Sequence, residues 1–455
     1  MCPFKSTRLL PILFVLLLFP PRGKATDPPV VWTVQKAVRY ALEHNPDARI
    51  VRHRIQAAGA AVRQAQAAFY PRLSLSGGYS RTDNPMYSFG NILNQQVFSP
   101  AIDFNDPGVS DDLNLTASLH YNLYSGGGDR AALDVNLARE QAARWQEQSV
   151  RASLSFAVVQ TFFTILQASE TVEARLSAIR AIEASLEAAR ARYEAGDLLK
   201  ADLLNLEVQL ARARENRIQA SHSLELAKRG LLNILGLRQG MISIDTGAGC
   251  CQIVPSESDF SRRPELARAK SSIQAAEREL DRALASRYPR ADLFGSWQVD
   301  KGFEYEHGSS DSWLAGIRID YTLFDGDRTQ AAIAAARAEL ARAREEYRKL
   351  ELALGLEVEK ARLGLAQAEE RLQVTAKMVE VAEESARLSR ERFRQGVILS
   401  SELIDVENRL TDALLRQTMA RAARRIAVAD LRRSLGLPQF PEETFPPSPQ
   451  TESQP

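Results

Sequence analysis

The amino-acid sequence contains two copies of one pattern, and this duplication constrains the fold more than any other feature. The stretch RYEAGDLLKADLLNLEVQL begins at Arg192, and the similar stretch RFRQGVILSSELIDVENRL begins at Arg392, an offset of 392 − 192 = 200 residues. Further matches are LGL at 235–237 and 435–437, again offset by 200, and Tyr-Pro at 70–71 and 288–289, offset by 288 − 70 = 218. The chain is therefore expected to fold as two similar halves.

The two offsets differ by 218 − 200 = 18 residues, and the extra residues lie within 81–112 of the first half. This segment is rich in Asn, Asp, Pro, Gly and Ser, and it shows no sustained hydrophobic period. Such a composition favours turns over helices and strands. We predict a long surface loop here.

Each half contains two predicted β-strands in which apolar and polar residues alternate. The segments LNLTASLHYNLY at 113–124 and WLAGIRIDYTLF at 313–324 show this pattern, and their partners are 72–80 and 291–299. Strands of about ten residues with one apolar and one polar face suit a transmembrane β-barrel. Alternation also fits a half-buried hairpin of a water-soluble domain. Four strands leave two open edges, whereas three chains would supply 3 × 4 = 12 strands to a closed barrel.

Long helices follow the strands in both halves, and shorter helical periodicity precedes the strands at 33–69 and 264–287. Residues 129–192 and 327–392 contain no proline and almost no glycine, so each stretch would extend roughly 95 Å as a helix. Apolar residues of the second stretch recur every seven positions, as in a coiled coil, at Ile333, Leu340, Tyr347, Leu354 and Ala361. Glycines stand 70 positions apart in both halves, at 126 and 196 and at 326 and 396. Two antiparallel helical hairpins of equal reach are predicted, and such hairpins can line a tube.

The amino-terminal segment has the features of an export signal. Lys5 and Arg8 precede the apolar run 9–19, and Gly23 and Ala25 occupy the small-residue positions of a cleavage site, so residues 1–25 are predicted to be a signal peptide. This run is too short to span a bilayer, which requires roughly 20 residues. No cysteine lies at the cleavage site, so lipid attachment is not expected. The adjacent cysteines at 250 and 251 would form a strained bond, which favours free or intermolecular thiols.

The distribution of charge excludes one class of partner. The sequence has 58 basic and 57 acidic residues, and they are finely interleaved along the helical stretches. Nucleic-acid binding requires a segregated basic face, so this pattern instead indicates solvated helix surfaces with local ion pairs. The histidines are scattered, and none has metal-ligand spacing from a cysteine or carboxylate. Neither an enzymatic site nor a metal or other cofactor is predicted.

The junctions between strand and helix carry a family resemblance. The segments LYSGGGDR at 123–130 and LFDGDR at 323–328 resemble the strand-to-helix elbow of the TolC-like outer-membrane efflux proteins. The segments that begin at Arg192 and Arg392 resemble the tip turns of that family, and together these features cover the chain from about residue 30 to 437. The resemblance implies a mainly α-helical homotrimer with a 12-stranded β-barrel in the bacterial outer membrane and a 12-helix periplasmic α-barrel. It also implies docking to a periplasmic adaptor protein and an inner-membrane transporter.

The elbow is expected where the membrane barrel passes into the periplasmic tunnel without a loop. Glycines there would relax the backbone at the bend, and aspartates would cap the free N–H groups of the helices that follow. The residues concerned are Gly126, Gly127, Gly128 and Asp129 in the first elbow, and Gly326 and Asp327 in the second. A phosphate-binding loop is not indicated, because SGGGDR lacks the lysine and the βαβ surroundings that such a loop uses.

The resemblance further implies a gated end at the helix tips, where acidic residues face the lumen and the glycine turns contact the adaptor. The matching gate positions are Asp202, Glu402 and Asp405, and the arginines available to pair with them are Arg192, Arg392 and Arg394. The matching docking turns are Gly196, Asp197, Leu198, Gly396, Val397 and Ile398. Three copies of each carboxylate would form a cation-attracting ring. Alternatively, Asp202 and Glu402 only favour the first turn of the returning helix.

Five segments follow from these patterns. They are a signal peptide at 1–25, a first repeat at 26–237, a linker at 238–261, a second repeat at 262–437 and a disordered tail at 438–455. The function that the resemblance implies is a passive outer-membrane channel of a tripartite efflux or type I secretion system. The alternative is an exported coiled-coil scaffold or adaptor protein without a membrane pore. The choice of exported substrate is expected to belong to the pump.

Overall fold

The computed structural model describes residues 31–245, 253–256, 258–305 and 307–440. The predicted signal peptide, the two adjacent cysteines and residues 441–455 lie outside these described residues. The first half contains, in chain order, β1 Val31–Trp32, α1 Val34–His44, α2 Pro46–Gln66, β2 Arg72–Thr82, α3 Pro85–Asn94, β3 Ser110–Tyr124, α4 Gly128–Glu194, α5 Lys200–Leu235 and β4 Ser243–Ile244. The second half contains α6 Pro264–Ala285, β5 Arg290–Lys301, β6 Ser309–Asp320, α7 Arg328–Arg394 and α8 Ser400–Ser434.

The two long helical hairpins have nearly identical dimensions. Helices α4 and α7 each contain 67 residues, and the returning helices α5 and α8 contain 36 and 35. A rise of 1.5 Å per residue makes each long helix about 100 Å in length. Four residues of the predicted seven-residue seam of α7 are buried, namely Ile333, Leu340, Leu354 and Ala361, and the fifth, Tyr347, is half-buried. Uninterrupted helix-forming residues therefore account for the length of the hairpins, and the seven-residue spacing accounts for the packed face.

One apolar core lies where α1 crosses α4. Val34 and Val38 of α1 pack with Val158 and Phe162 of α4, and all four side chains are at most 2% exposed. Helix α4 also contains an 18-residue window with a mean hydropathy of 1.4, which meets the length and composition of a membrane span. Because α1 and α5 cover one face of its apolar segment, we interpret the segment as part of the core.

The four long strands form one antiparallel sheet in the order β2-β3-β5-β6. Two hairpins supply the pairs β2–β3 and β5–β6, and β3 pairs with β5 across the two halves of the chain. Among the described residues, the outer edges of β2 and β6 have no strand partner. Strands β1 and β4 form a separate parallel pair. The sheet of one chain therefore ends in two open edges.

The segment 81–112 differs from the predicted loop. It contains α3, a helix of ten residues that begins after Asn84, whose side chain accepts a hydrogen bond from Met86 N at 3.1 Å. Ile92 of this helix is fully buried, at 0% exposure. The composition argument failed because an asparagine cap followed by proline starts a helix, and apolar residues further along anchor it.

Two predicted boundaries also change. The predicted helix at 33–69 is divided at Asn45, whose backbone is extended (ψ 136°) because Pro46 disfavours a helical residue before it. Residues 439 and 440 of the predicted disordered tail lie against the helices, and Gln439 Nε2 donates to Ala429 O at 2.9 Å. Phe440 is 4% exposed and joins the core between α1 and α4. The proline-rich composition predicted disorder here, but burial of the apolar Phe440 ring is favourable enough to hold this part of the tail in place.

Candidate functional site

The four-stranded sheet has two chemically different faces. One row across the strands joins Leu75, Ala117, Trp297 and Trp313. Leu75 is 71% exposed and Trp313 is 77% exposed, so the described residues leave this apolar face uncovered. An apolar face of this extent is unfavourable in water and needs lipid or protein against it. The adjacent row is polar and joins Ser76, Thr116, Gln298 and Ser312.

The first elbow is short and closely packed. Strand β3 ends at Tyr124, and Gly126 and Gly127 then adopt φ of 65° and 87°, in the left-handed region that favours glycine. Gly128 was predicted to relax the bend, but it is the first residue of α4 and lacks a positive φ. A Cβ atom at Gly126 would lie 2.6 Å from the Ala285 carbonyl oxygen. Gly126 is therefore needed for packing as well as for conformation.

The second elbow has the same backbone conformation but open surroundings. Gly326 and Asp327 have φ of 66° and 65°, and a Cβ atom at Gly326 would meet nothing within 4 Å. Strand β6 ends at Asp320, four residues before the predicted end of the strand at 324. Because Arg290 pairs with Asp320, the next residue of β6 would face Pro289, which has no N–H group for the ladder.

The prediction that Asp129 caps α4 is wrong. The Ser125 Oγ atom accepts the hydrogen bond from Asp129 N at 3.1 Å. The Asp129 carboxylate instead accepts a hydrogen bond from the Asn122 side chain. Asp129 still lies in the first turn of the helix, where its negative charge favours the helix dipole.

The prediction for Asp327 is wrong for the same reason. Asp327 occupies the cap position but makes no capping hydrogen bond with its side chain. The Asp325 carboxylate accepts hydrogen bonds from Thr329 N at 2.9 Å and from Thr329 Oγ1 at 2.6 Å. These hydrogen bonds lower the pKa of Asp325. In both elbows the capping side chain precedes the two left-handed residues, because the tight bend brings it back over the start of the helix.

Both helical hairpins turn through one motif at their tips. Gly196 and Gly396 are left-handed, with φ of 86° and 79°. The hydrogen bonds that close the turns run from Asp197 N to Arg192 O at 2.8 Å and from Val397 N to Arg392 O at 2.9 Å. This is a Schellman motif, in which a left-handed glycine ends a helix and the next N–H satisfies an unpaired carbonyl. Of the six predicted docking residues, the glycines, Asp197 and Val397 are exposed, and Leu198 and Ile398 are half-buried.

Two side chains of the first tip contact the second tip. Arg192 Nη1 donates to Phe393 O at 3.0 Å, and the guanidinium carbon lies 5.6 Å from the centre of the Phe393 ring. Ser400 Oγ donates to Asp202 Oδ1 at 2.5 Å, and Asp202 is half-buried. The structure therefore brings Arg192 and Asp202 to the junction of the two tips, although each contacts a different partner.

The other predicted gate residues lie outside this junction. Glu402, Asp405, Arg392 and Arg394 are exposed, and Arg394 Nη1 lies 3.6 Å from the Glu391 carboxylate. Within the described residues, no ion pair joins the predicted gate acids to the predicted gate arginines. In the same part of the chain, no group of three or more His, Cys, Asp or Glu side chains is arranged to hold a metal ion.

Sequence reasoning missed an ion pair that repeats near both tips. Arg390 donates to the Glu407 carboxylate at 2.5 Å and 2.7 Å, and the Glu407 side chain is 8% exposed. These hydrogen bonds raise the pKa of Arg390. The corresponding pair of Arg190 and Glu207 is 3.1 Å apart but more exposed. The offset of 200 residues between the two pairs is the signal that could have found them.

A second repeated contact closes the opposite ends of the hairpins. Asn45 Nδ2 donates to Ile234 O at 2.7 Å, and Arg263 Nη1 donates to Ser434 O at 3.2 Å. Both donors precede the proline that begins a short helix, and both acceptors end a returning helix. The repeated Asn-Pro and Arg-Pro pairs of the sequence therefore anchor the short helices to the long hairpins.

Arg263 is also the centre of a buried charge network. Its side chain is 5% exposed and pairs with Glu265 at 2.9 Å and with Glu357 at 2.7 Å. Arg433 also pairs with Glu357, at 2.7 Å. Burial alone would raise the pKa of Glu357, but hydrogen bonds from Arg433 and Arg263 lower it. Burial would also raise the pKa of Glu265, but the hydrogen bond from Arg263 outweighs this effect and the pKa is lowered.

Comparison with known proteins identifies relatives over most of the chain. The family model described as outer membrane efflux protein matches residues 37–237 and 258–437, which include both hairpins and all four long strands. The chain is 26% identical over 407 residues to the pyoverdine export outer membrane protein OpmQ of Pseudomonas putida strain KT2440, with 84% of this chain and 83% of that protein covered. It is 24% identical over 308 residues to the fusaric acid resistance protein FusA of Burkholderia cepacia, with 64% of this chain and only 56% of that protein covered.

Solved structures show the same fold. The outer-membrane channel OprN superposes with a TM-score of 0.76 at 21% identity, with 92% of this chain and 95% of that chain covered. At this identity the likeness concerns the fold alone, and it confirms the predicted TolC-like arrangement. The family match includes the elbows and the tips as well as the sheet. The chain thus belongs to the outer membrane efflux protein family, in the bacterial outer membrane with a helical extension into the periplasm.

Proposed function

We propose that three copies of this chain form a passive duct from a periplasmic adaptor and an inner-membrane transporter to the cell exterior. The observation that carries this proposal is the sheet with an exposed apolar face and two open edges. The edge strands β2 and β6 contain 11 and 12 residues, so the edges of neighbouring copies match in length. Three copies supply 3 × 4 = 12 strands, which close into a barrel without edges while lipid covers the apolar face.

The helical hairpins support a tunnel that continues from this barrel. Each chain contributes four helices in two hairpins, so three copies contribute 3 × 4 = 12 helices. Because α4 and α7 both contain 67 residues, all six hairpins end at the same distance from the elbows. The tips therefore form one ring at the far end of the tunnel, and this ring is where we propose the gate.

The duplication suggests a contact between the tips of neighbouring copies. Within one chain, Asp202 of the first tip accepts a hydrogen bond from Ser400 of the second tip. The positions offset by 200 are Glu402 and Lys200. In a ring of alternating first and second tips, Glu402 would face Lys200 of the partner subunit and form an ion pair. We propose that this pair holds the closed ring, and that Asp202, Glu402 and Asp405 give its lumen a negative charge.

The exposed turns of the tips suit a docking surface for the adaptor. Val397 is 61% exposed and Leu199 is 72% exposed, and both are apolar residues at the free end of a charged helical hairpin. The left-handed glycines beside them have no side chain, which permits close approach of another backbone. We propose that these turns contact the helical ends of an adaptor protein. We assign no enzymatic activity to the chain, and we assign the choice of substrate to the pump.

Cross-linking of isolated outer membranes tests the duct. The proposal requires covalent trimers that need detergent for extraction and that resist heat as an oligomer. The alternative, an exported coiled-coil scaffold, requires extraction by buffer alone. Monomers or dimers as the largest cross-linked species would contradict the duct.

A further inference from the structure

The extra residues of the first half form a folded unit at the outer end of the sheet, which we call the outer cap (residues 83–109). The cap lies between β2 and β3 and includes α3. Asn91 Nδ2 donates to Ser110 Oγ at 3.0 Å, and Ser88 Oγ donates to Gly108 O at 2.6 Å. Tyr305, in the turn of the other hairpin, donates to Pro107 O at 2.5 Å. The cap therefore has a defined position and bridges the two hairpins of the chain.

The contacts of the cap place it on the polar face of the sheet. Even-numbered residues of β3 point to this face together with Thr116, which pairs with Ser76 and Gln298. Asp112 is one of these residues, and its Oδ1 atom accepts a hydrogen bond from Gln95 Nε2 at 3.2 Å. Gln95 Nε2 also donates to Asp111 O at 2.7 Å.

Two glycines in the turn of the β5–β6 hairpin also show that the cap lies on the polar face of the sheet. A Cβ atom at Gly302 would lie 2.0 Å from Gln95 Oε1, and a Cβ atom at Gly308 would lie 2.2 Å from Val97 Cγ1. A Cβ atom at Gly308 would also lie 2.7 Å from the backbone oxygen of Gln95, whereas a Cβ atom at Gly302 would meet only the end of the Gln95 side chain. The two glycines therefore leave space for Gln95 and Val97 on the polar face of the sheet. This polar face would line the lumen of a closed barrel.

The cap also carries exposed apolar side chains. Phe89 contacts Phe98 and Phe104 edge to face, with ring centres 5.7 Å and 4.6 Å apart. Phe104 is 66% exposed, Met86 is 76% exposed and Tyr87 is 62% exposed. An apolar cluster of this kind is unfavourable in a water-filled mouth unless another surface covers it.

We propose that the outer caps of three copies meet above the lumen and close the outer mouth of the barrel with these apolar side chains. The inference rests on the proposed trimeric duct. Each cap lies on the lumenal face of its own sheet, so three caps converge on the axis by symmetry. The turn between β5 and β6 is short and forms no second cap. Each chain therefore contributes one cap, and a trimer would have three caps at its axis. An apolar constriction of this kind excludes water and ions until it is displaced.

Access to the lumen from outside the cell tests the closure. Ser74→Cys in a background with Cys250→Ser and Cys251→Ser places one thiol on the polar face of β2, below the cap. Gly308→Val should displace the cap and raise the rate of modification by a bulky, membrane-impermeant maleimide about tenfold. Gly78→Val is the matched control, because Gly78 lies on the same face and a Cβ atom there meets nothing within 4 Å. If the trimers stayed intact and the maleimide modified the thiol at the same rate in all variants, the proposed closure would be overturned.

Cross-linking between caps tests the contact itself. In the same Cys250→Ser, Cys251→Ser background, Met86→Cys and Phe104→Cys should each give covalent dimers and trimers with a short bifunctional thiol reagent. Trp313→Cys is the control, because Trp313 is equally exposed but lies on the apolar outer face of the sheet. No cross-link at either cap position would overturn the proposal and favour insertion of the patch into lipid. Failure of the wild type to form trimers would instead contradict the duct.

Discussion

The carboxylate of Asp202 in the first helix tip accepts a 2.5 Å hydrogen bond from the hydroxyl of Ser400 in the second tip, across 198 positions of sequence. The equivalent residues of the other half, Glu402 and Lys200, are exposed in one chain. Position 202 of the first half therefore contacts position 400 of the second half, whereas the equivalent positions 402 and 200 do not contact each other within one chain. A ring of alternating tips is the arrangement in which both contacts can form.

Charge reversal tests the proposed pair between Glu402 and Lys200 of the partner subunit. Glu402→Lys or Lys200→Glu alone should place like charges together at a cost of about 1 kcal/mol per pair, or about 3 kcal/mol per trimer. The closed ring should then open more often, which single-channel recording in planar bilayers measures as a higher open fraction. The double variant should restore the wild-type open fraction. If each single variant behaved as the wild type, the two residues would not be partners.

Neutralising the tip carboxylates tests the proposed cation ring. Asp202→Asn, Glu402→Gln and Asp405→Asn together keep the size of the side chains and remove 3 × 3 = 9 charges per trimer. The wild type should favour cations and be blocked by multivalent cations from the periplasmic side, and both effects should weaken in the variant. Screening limits such fields to about 10 Å at 0.1 M salt, so low ionic strength should show the largest difference. Unchanged selectivity at low salt would place the constriction elsewhere.

The two elbows should respond differently to the same substitution. Gly326→Val should cost about 1–3 kcal/mol in the stability of the folded protein, because valine is strained in the left-handed region. Gly126→Val should cost more, because its Cβ would also lie 2.6 Å from the Ala285 carbonyl oxygen. Gly128→Ala is the control, since Gly128 lacks a positive φ and a Cβ there makes an ordinary 3.5 Å contact. Thermal unfolding in detergent measures the series, and an equal effect at the two elbows would contradict the packing at Gly126.

Loss of the buried arginine should destabilise the second half. Arg263→Ala should lower the free energy of unfolding by about 3 kcal/mol, because it leaves the Glu265 carboxylate without its buried partner charge and leaves Glu357 paired with Arg433 alone. Arg263→Asn, which copies the residue of the first half, should cost less because an amide can still donate to Ser434 O. Arg344→Ala breaks an exposed ion pair of 3.0 Å with Glu277 and should change stability by about 1 kcal/mol or less. Calorimetry of the three variants measures these changes. If Arg263→Ala and Arg344→Ala lowered the free energy of unfolding equally, the proposed role of the network would be contradicted.

The same network predicts a dependence of stability on acid pH. The pKa values of Glu265 and Glu357 are lowered in the folded chain, so unfolding exposes carboxylates that bind protons more readily. Their contribution to stability is present above the ordinary glutamate pKa of about 4.3 and is lost as pH falls through the lower folded values. The melting temperature of the wild type should therefore fall more steeply below about pH 4 than that of the Glu265→Gln, Glu357→Gln double variant. Parallel curves would show that these two carboxylates do not carry the acid sensitivity.

The glycine turns at the helix tips were predicted correctly, and they depend on local chemistry. Gly196 and Gly396 end helices because their left-handed backbone suits glycine in any context. The parts that were predicted wrongly depend on residues brought close by the fold. Ser125 and Asp325 act as caps only because the elbow bends back over the helix start, and composition alone does not show that bend.

The sequence by itself determined the duplication, the equal helical hairpins, the two-faced strands and the positions of the turns. These features follow from glycine and proline conformations and from the seven-residue and two-residue periods, which act over a few neighbouring residues. Only the tertiary structure decided that the outer cap lies on the polar face of the sheet, and that Asp202 meets Ser400 while Glu402 stays exposed. Such contacts join strands or tips that are far apart in sequence. The repeat shows which positions of the two halves are equivalent, but it does not show which of these positions come into contact within one chain.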